Sequence, residues 1–338
     1  MMRNTLNENE TITTSVERSM VSGLPIPPSL SENRTVPVPL GTDCGLTILD
    51  WAGFTGAASY TFDDSRPTQI EHWRELGTTG INMTFYVVPV WNTPETRTIL
   101  RTIHAAGSEL GNHTYSHKRI ATLAGNKDEM TREITECASY ISETLGLKAA
   151  CSFAYPYGEL DWRNSFNGRF MLARSVEQGT IKPLDDTDPF ALPIFAVNER
   201  HTEKTFNEVL DTSVKEGSWV IFMFHALLPG DNWAAGVPID SVMASLGHAK
   251  ATKKLWLDSV ENIGAYWIAQ KILSAVTPIS DERRKIWTWN LPERFPTGMY
   301  LRVRINGGSL HQNGKRIPWN SCGFYEIALD ERKLEWGT

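Results

Sequence analysis

The chain has 338 residues, 41% hydrophobic and 21% charged, with a formal net charge of −6. That length suits one large domain with a small appendage, and an acidic balance without a compensating basic stripe argues against nucleic acid as a partner. No run of about 18 apolar residues occurs, so no transmembrane helix is expected.

Residues 1–44 are polar and carry Pro25, Pro27, Pro28, Pro37 and Pro39, which predicts an extended arm and not a domain. Met1 to Glu17 holds no apolar core of the signal-peptide kind. The expected compartment is the cytoplasm, or the exterior with a leader removed. From Gly45 onward, strand-like runs recur near 57–62, 81–88, 108–112, 149–154, 171–176, 192–197 and 219–224. Helical stretches separate several of them: Gln69–Leu76, Thr93–Ala106, Asp128–Leu145 and Thr205–Glu216. In the third, Ile134, Ala138, Ile141 and Leu145 recur at helical spacing and define one buried face. Strand–helix alternation of this kind predicts a parallel sheet.

Ala226 to His248 is a glycine-bearing stretch with Trp233, long enough to form a lid or a wall of a site. A helix is expected from Ala249 to Leu273, with Trp256 and Trp267 as packing residues. After Thr277-Pro278 the character changes. Trp287-Thr288-Trp289, Met299–Ile305 and Phe324–Leu329 alternate as strands, and Asn306-Gly307-Gly308 and Gln312-Asn313-Gly314 supply turns. Residues 277–338 therefore read as a small β module, which at about sixty residues needs a larger partner to bury its core. Trp287, Trp289 and Trp319 could stack on sugar rings or fill that core, and the sequence leaves both open. The four cysteines, Cys44, Cys137, Cys151 and Cys322, form no Cys-x-x-Cys pair and are too scattered for a disulfide framework.

Two short runs carry the chemistry. Asp63-Asp64 ends the strand-like run Ala57–Phe62, and His113-Thr114-Tyr115-Ser116-His117 follows the short strand and glycine turn 107–112. Both therefore fall at strand C-termini, where α/β folds place their reacting groups. On a helical turn, the i, i+4 spacing would point both imidazoles the same way. One carboxylate and two imidazoles form a common set of catalytic zinc ligands with a position open for water. The second carboxylate is then free to take a proton from that water.

Thr61-Phe62-Asp63-Asp64, Gly111–His117, Phe153-Ala154-Tyr155-Pro156-Tyr157-Gly158 and Val220–His225 occur in the order found in the polysaccharide deacetylases of the NodB-homology type, carbohydrate esterase family 4. Residues 50–275 resemble that family. The resemblance implies a distorted (β/α)7-type barrel over residues 45–276, followed by the β module at 277–338. It implies one divalent metal, Zn2+ with Co2+ or Ni2+ as alternatives, on Asp64, His113 and His117. Asp63 would be the general base, His225 the general acid, and the Tyr157 backbone N–H an oxyanion donor, with Pro156, Tyr157 and Trp233 near the substrate. The implied substrate is an acetylated glycan, cleaved at an N-acetyl amide or an O-acetyl ester.

This chain departs from the pattern at Ala154, where many members carry an arginine that orients the aspartate. Arg174 is a candidate replacement. Asp185, Asp186 and Asp188 either tune the general acid or form a polar loop. A non-carbohydrate amide hydrolase on the same barrel, and a glycan-binding protein with a vestigial site, are the alternative readings.

Overall fold

The computed structural model describes residues 18–19, 21–31, 35–124, 126–230 and 236–338. Seven parallel strands form a closed barrel: β1 (Gly56–Asp63), β2 (Thr84–Val87), β3 (Glu109–Asn112), β4 (Ser152–Ala154), β5 (Leu172–Gln178), β6 (Leu192–Ala196) and β7 (Trp219–Phe224). Closure comes from β1 pairing along its length with β7, from Ala57 opposite Trp219 to Phe62 opposite Phe224. Every position of β1 and β7 is buried, as expected of parallel strands covered on both faces. Alternation sends Tyr60, Phe62, Phe222 and Phe224 outward against the helices, where their rings stack. The other face of β1 carries Ser59, Thr61 and Asp63. The strand period thus delivers Asp63 to the barrel interior at its C-terminal end.

The main helices are α1 (Pro94–Ala105), α2 (Lys127–Ser139), α3 (Glu203–Glu216), α4 (Ile239–Thr252) and α5 (Val260–Ala275). The single helix expected from Ala249 to Leu273 is corrected by the structure. α4 already begins at Ile239 and ends at Lys253, whose φ is +56°. A strand, β8 (Leu255–Leu257), follows, and α5 starts beyond its N-cap Ser259. The nearly continuous apolar content from 255 to 273 hides that change of period. β8 pairs with the first three residues of β1, whereas β2 pairs with its last three. This extra strand wedges into the split between β1 and β2 and makes the barrel irregular.

α5 is buried on almost every side, including Ile263, Tyr266, Trp267, Ile268 and Leu273. A helix apolar all round must be covered all round, and here the barrel lies on one side and the C-terminal strands on the other. Those strands are β9 (Arg284–Thr288), β10 (Tyr300–Arg304), β11 (Ser309–Gln312), β12 (Tyr325–Ala328) and β13 (Lys333–Gly337). β9, β13 and β11 pair antiparallel, and β10 pairs with β12. The short strand Thr47–Ile48 adds to β10, so the chain before the barrel is woven into the C-terminal module. Buried Arg302 fixes that weave: it pairs with Glu326 at 3.1 Å and donates to the carbonyls of Leu24, Pro25 and Ala52. Trp287 and Trp289 belong to the shared core, with the Trp289 indole N–H on the Leu329 carbonyl at 3.0 Å. They are therefore packing residues and not open sugar platforms. Trp256 and Trp267 are fully buried, as expected from the sequence.

Candidate metal centre and active site

At the C-terminal pole of the barrel, strand alternation alone would send Asp63 and Asp64 to opposite faces. The chain leaves the strand instead: Asp64 has φ +76° and Ser65 φ +52°. This left-handed turn, uncommon for residues with a side chain, brings the second carboxylate back beside the first. Thr114, His117 and Tyr157 also have positive φ. Five side-chain-bearing residues at this pole thus hold positive φ, and functional sites tend to store such strain.

The two histidines do not sit on a helical turn. They lie in a loop after β3, and side chains replace the missing helical hydrogen bonds. The Thr114 N–H donates to Asn112 Oδ1 at 3.0 Å, and the His117 N–H to Thr114 Oγ1 at 3.0 Å. Glu133 of α2 accepts the Ser116 N–H at 2.8 Å and its hydroxyl at 2.6 Å. The rings still converge, with centroids 4.6 Å apart and edge-on.

Asp64 Oδ1 lies 3.6 Å from His113 Nε2 and 3.7 Å from His117 Nε2. Two ligand atoms about 2.1 Å from one ion at a tetrahedral angle would stand roughly 3.4 Å apart, so the three atoms bracket a position of the right size. His113 Nδ1 lies 2.8 Å from the Ala154 carbonyl. A carbonyl only accepts, so Nδ1 carries the proton and the Nε2 lone pair faces Asp64, the orientation expected of a metal-binding imidazole. Asp64 Oδ1 is buried with no hydrogen-bond donor, which leaves a carboxylate oxygen satisfied only by a cation or a proton. The residues present fit a divalent ion.

Asp63 lies just beyond this triad, its Oδ2 3.8 Å from His113 Nε2 and 3.9 Å from His225 Nε2. On its other side, Oδ1 makes a close ion pair with the Arg174 guanidinium, both side chains being almost wholly buried. Burial pushes the Asp63 carboxyl up, but Arg174, His113 and His225 together hold it below the usual carboxylate range. Burial and the neighbouring Asp63 charge push Asp64 the other way, to about 7. Burial drives His113 down to about 3 and lowers His117 and His225 as well, so all three imidazoles are neutral at pH 7. One carboxylate is fixed as an anion, and the other, with no metal in the triad, holds a proton below about pH 7.

The Pro156–Gly158 turn closes one side of the site. Pro156 is buried, while Tyr157 is half exposed with its ring 4.6 Å from His117 and the Arg119 guanidinium 3.7 Å over it. The structure thus brings Asp63, Asp64, His113, His117, Pro156, Tyr157 and His225 to one pole. Trp233 lies outside the described residues. Asp185 accepts the N–H groups of Lys182 and Thr187, and Asp188 accepts that of Phe190 and pairs with Arg163. Those two carboxylates hold their own loop together.

Sequence reasoning missed Gln69. Fully buried, its Nε2 donates to the Asp63 carbonyl and to the His225 carbonyl, both at 2.6 Å. One amide thus ties the ends of β1 and β7, which carry the two reacting side chains. No periodicity distinguishes it in the helix Pro67–Glu71. Gln69→Leu keeps the volume and removes both bonds. At about 1 kcal/mol net each, denaturant unfolding should show a loss of about 2 kcal/mol, and turnover should fall together with it. Glu133 did leave a signal, as a carboxylate on the buried stripe of α2 beside Met130, Ile134 and Cys137. A second group of possible ligands, Glu109, Cys151 and Glu261, lies at the opposite pole. There Glu109 accepts from Thr84, Ser152 and the Glu261 N–H, which anchors the start of α5.

A closed parallel barrel thus gathers three imidazoles and two carboxylates at its C-terminal pole. Residues 55–167 match the family model described as polysaccharide deacetylase. That match spans the strands and loops bearing Asp63, Asp64, His113, His117 and Tyr157. No curated protein matches. Among solved structures, the barrel is similar to the "probable Polysaccharide deacetylase from Pseudomonas aeruginosa PAO1", at 13% identity and a TM-score of 0.54, covering 66% of this chain and 94% of that one. That likeness supports the fold. A family 4 acetyl xylan esterase from Clostridium thermocellum in complex with a cobalt ion aligns at 17% identity and a TM-score of 0.43, covering 61% and 89%.

Proposed function

We propose that the protein is a metal-dependent hydrolase that removes acetyl groups from an acetylated carbohydrate. The observation that carries this reading is the triad of Asp64 Oδ1, His113 Nε2 and His117 Nε2 beside a second, ionised carboxylate. Asp64, His113 and His117 would hold the ion, zinc first and cobalt or nickel as substitutes. A bound divalent ion supplies a Lewis acid and makes its water far more acidic.

The remaining work falls to the protein's own groups. Asp63 takes the proton from the attacking water, a role open to it because it stays ionised at neutral pH. The Tyr157 N–H, turned by its left-handed backbone, donates to the oxyanion as the acetyl carbonyl becomes tetrahedral. His225 gives a proton to the departing amine or alcohol, after which acetate is free. Neutral in the empty site, His225 would take up the water proton from Asp63, whose Oδ2 lies 3.9 Å from its Nε2, and pass it to the leaving group, which returns both side chains to their starting states.

The test is acetate release from N-acetylated and O-acetylated glycans after chelation, with and without added zinc or cobalt. Release that disappears on chelation and returns with metal from one substrate class is expected, and it would identify the bond cleaved. Unchanged release after complete metal removal would overturn the metal-dependent reading. Release from none of the glycans would move the substrate to a non-carbohydrate amide.

A further inference from the structure

The oxyanion donor Tyr157 is held from outside its own turn. Its backbone is left-handed, with φ +57° and ψ +12°, a conformation disfavoured for a residue with a side chain. The residue is 47% exposed, so burial does not fix it. Three neighbours do. The Arg119 guanidinium lies 3.7 Å over the phenol ring, as a planar cation stacks on an aromatic face. The His117 ring approaches at 4.6 Å, tilted by 58°. Val176 of β5 packs beside Gly158, where an added Cβ would collide with its side chain.

Arg119 is anchored in turn. Its Nη1 donates to Glu159 Oε1 at 3.2 Å, and Glu159 Oε2 accepts the Ile120 N–H at 2.7 Å. Arg119 and Ile120 follow His117 by two and three residues, and Glu159 follows Tyr157 by two. One guanidinium and one carboxylate thus join the loop after β3, which carries a candidate metal ligand, to the loop after β4, which carries the donor. The Arg119 side chain is 55% exposed, and in high dielectric its charge is worth little at a distance. What it supplies is a fixed face for the ring.

We propose, resting on the deacetylase reading, that Arg119 is the positioning residue of the oxyanion donor. Stacked on Tyr157 and tied to Glu159, it keeps the left-handed turn that presents the Tyr157 N–H, in register with the loop of His117. The donor is needed only as the carbonyl becomes tetrahedral. The clamp therefore acts on the transition state and not on substrate binding.

The experiment is a double-mutant cycle in the metal-loaded full chain: Arg119→Ala, Tyr157→Ala and the two together. Acetate release from N-acetylated and O-acetylated glycans, metal content and thermal unfolding are measured on each. Arg119→Ala should lower kcat by about 10–100-fold with KM within about threefold and one metal retained. A misplacement of about 1 Å can cost about 10²-fold, and a lost oxyanion donor costs about 10²–10³-fold. Adding Arg119→Ala to Tyr157→Ala should lower kcat by less than a further threefold or so, because the arginine acts only through the ring it covers. Losses that multiply would overturn the proposal, since Arg119 would then act on the substrate or on the fold at large. So would a loss carried by KM, or an Arg119→Ala enzyme with kcat within about threefold of the native one. If the native protein releases no acetate from any glycan, the deacetylase reading falls by itself. A crystal structure of Arg119→Ala then decides the clamp: a Tyr157 that keeps its left-handed φ overturns it, and a relaxed turn upholds it.

Discussion

Asp63→Asn should abolish turnover while leaving the metal bound. Asparagine keeps the shape of the side chain but cannot take a proton, and a general base is worth typically about 10²–10⁴-fold. The expected fall in kcat is at least about 10³-fold, because the substitution also removes the partner of Arg174. Both groups are almost wholly buried, and a buried cation left without its anion costs about 3–5 kcal/mol. The variant should therefore also unfold at a lower temperature. Asp64, His113 and His117 are untouched, so metal content by mass spectrometry should remain near one per chain. The depressed pKa sets the pH behaviour of this pair. The stability it contributes is present above the unfolded carboxylate value of about 3.9 and is lost only as pH falls through the lower folded value. Asp63 thus stays a base well into mildly acidic solution, and the acid limb of activity must arise elsewhere. An asparagine variant that turns over at native rates would remove Asp63 from the reaction.

The barrel was legible because its signals are local and strong. Strands such as β2, β6 and β7 are short apolar runs, the helices between strands have caps and a 3.6-residue period, and buried parallel strands need no partner-specific pattern. The motifs at the strand ends were legible for the same reason: Asp63-Asp64 and His113–His117 follow strand signals directly. What the sequence hid depends on distant pairing. β8 is three residues long and lies between two helices of similar apolar content, so its edge pairing with Gly56–Ala58 leaves no period to read. The weave of Thr47–Ile48 into β10 joins residues more than 250 positions apart. The loop carrying the histidines is held by Asn112, Thr114 and Glu133 side chains, so i, i+4 spacing gave the right convergence for the wrong backbone. Arg174 is a candidate from the sequence, but only the register of β4 against β5 puts it beside Ala154, twenty residues earlier.

Metal affinity should climb steeply with pH and then level off near neutrality. Of the three ligands, His113 is already neutral, driven to about 3 by burial, and His117 is lowered for the same reason. Asp64 is the one that holds a proton in the empty site, since burial and Asp63 push it up to about 7. A ligand must shed its proton to bind, so below pH 7 each unit of acid should weaken zinc about tenfold, with one proton released per ion. Above pH 7 the affinity should be flat.

The Asp64 contribution to the stability of the metal-free protein runs the other way, opposed by the buried neutral imidazoles of His113, His117 and His225. A carboxylate whose folded pKa exceeds its unfolded value favours folding at low pH and loses that contribution as pH rises from about 4 toward 7. Zinc reverses the loss, so the rise in Tm on adding metal should be larger at pH 7.5 than at pH 5.5. His113→Ala removes a ligand whose other nitrogen is committed to the Ala154 carbonyl. It should weaken zinc at least about 100-fold and take activity with it. Calorimetric zinc titrations from pH 5.5 to 8.5 read both effects. An affinity independent of pH across that range would mean that Asp64 carries no proton to displace, and stoichiometric metal in His113→Ala would break the triad. Either result would force the ion to another set of ligands.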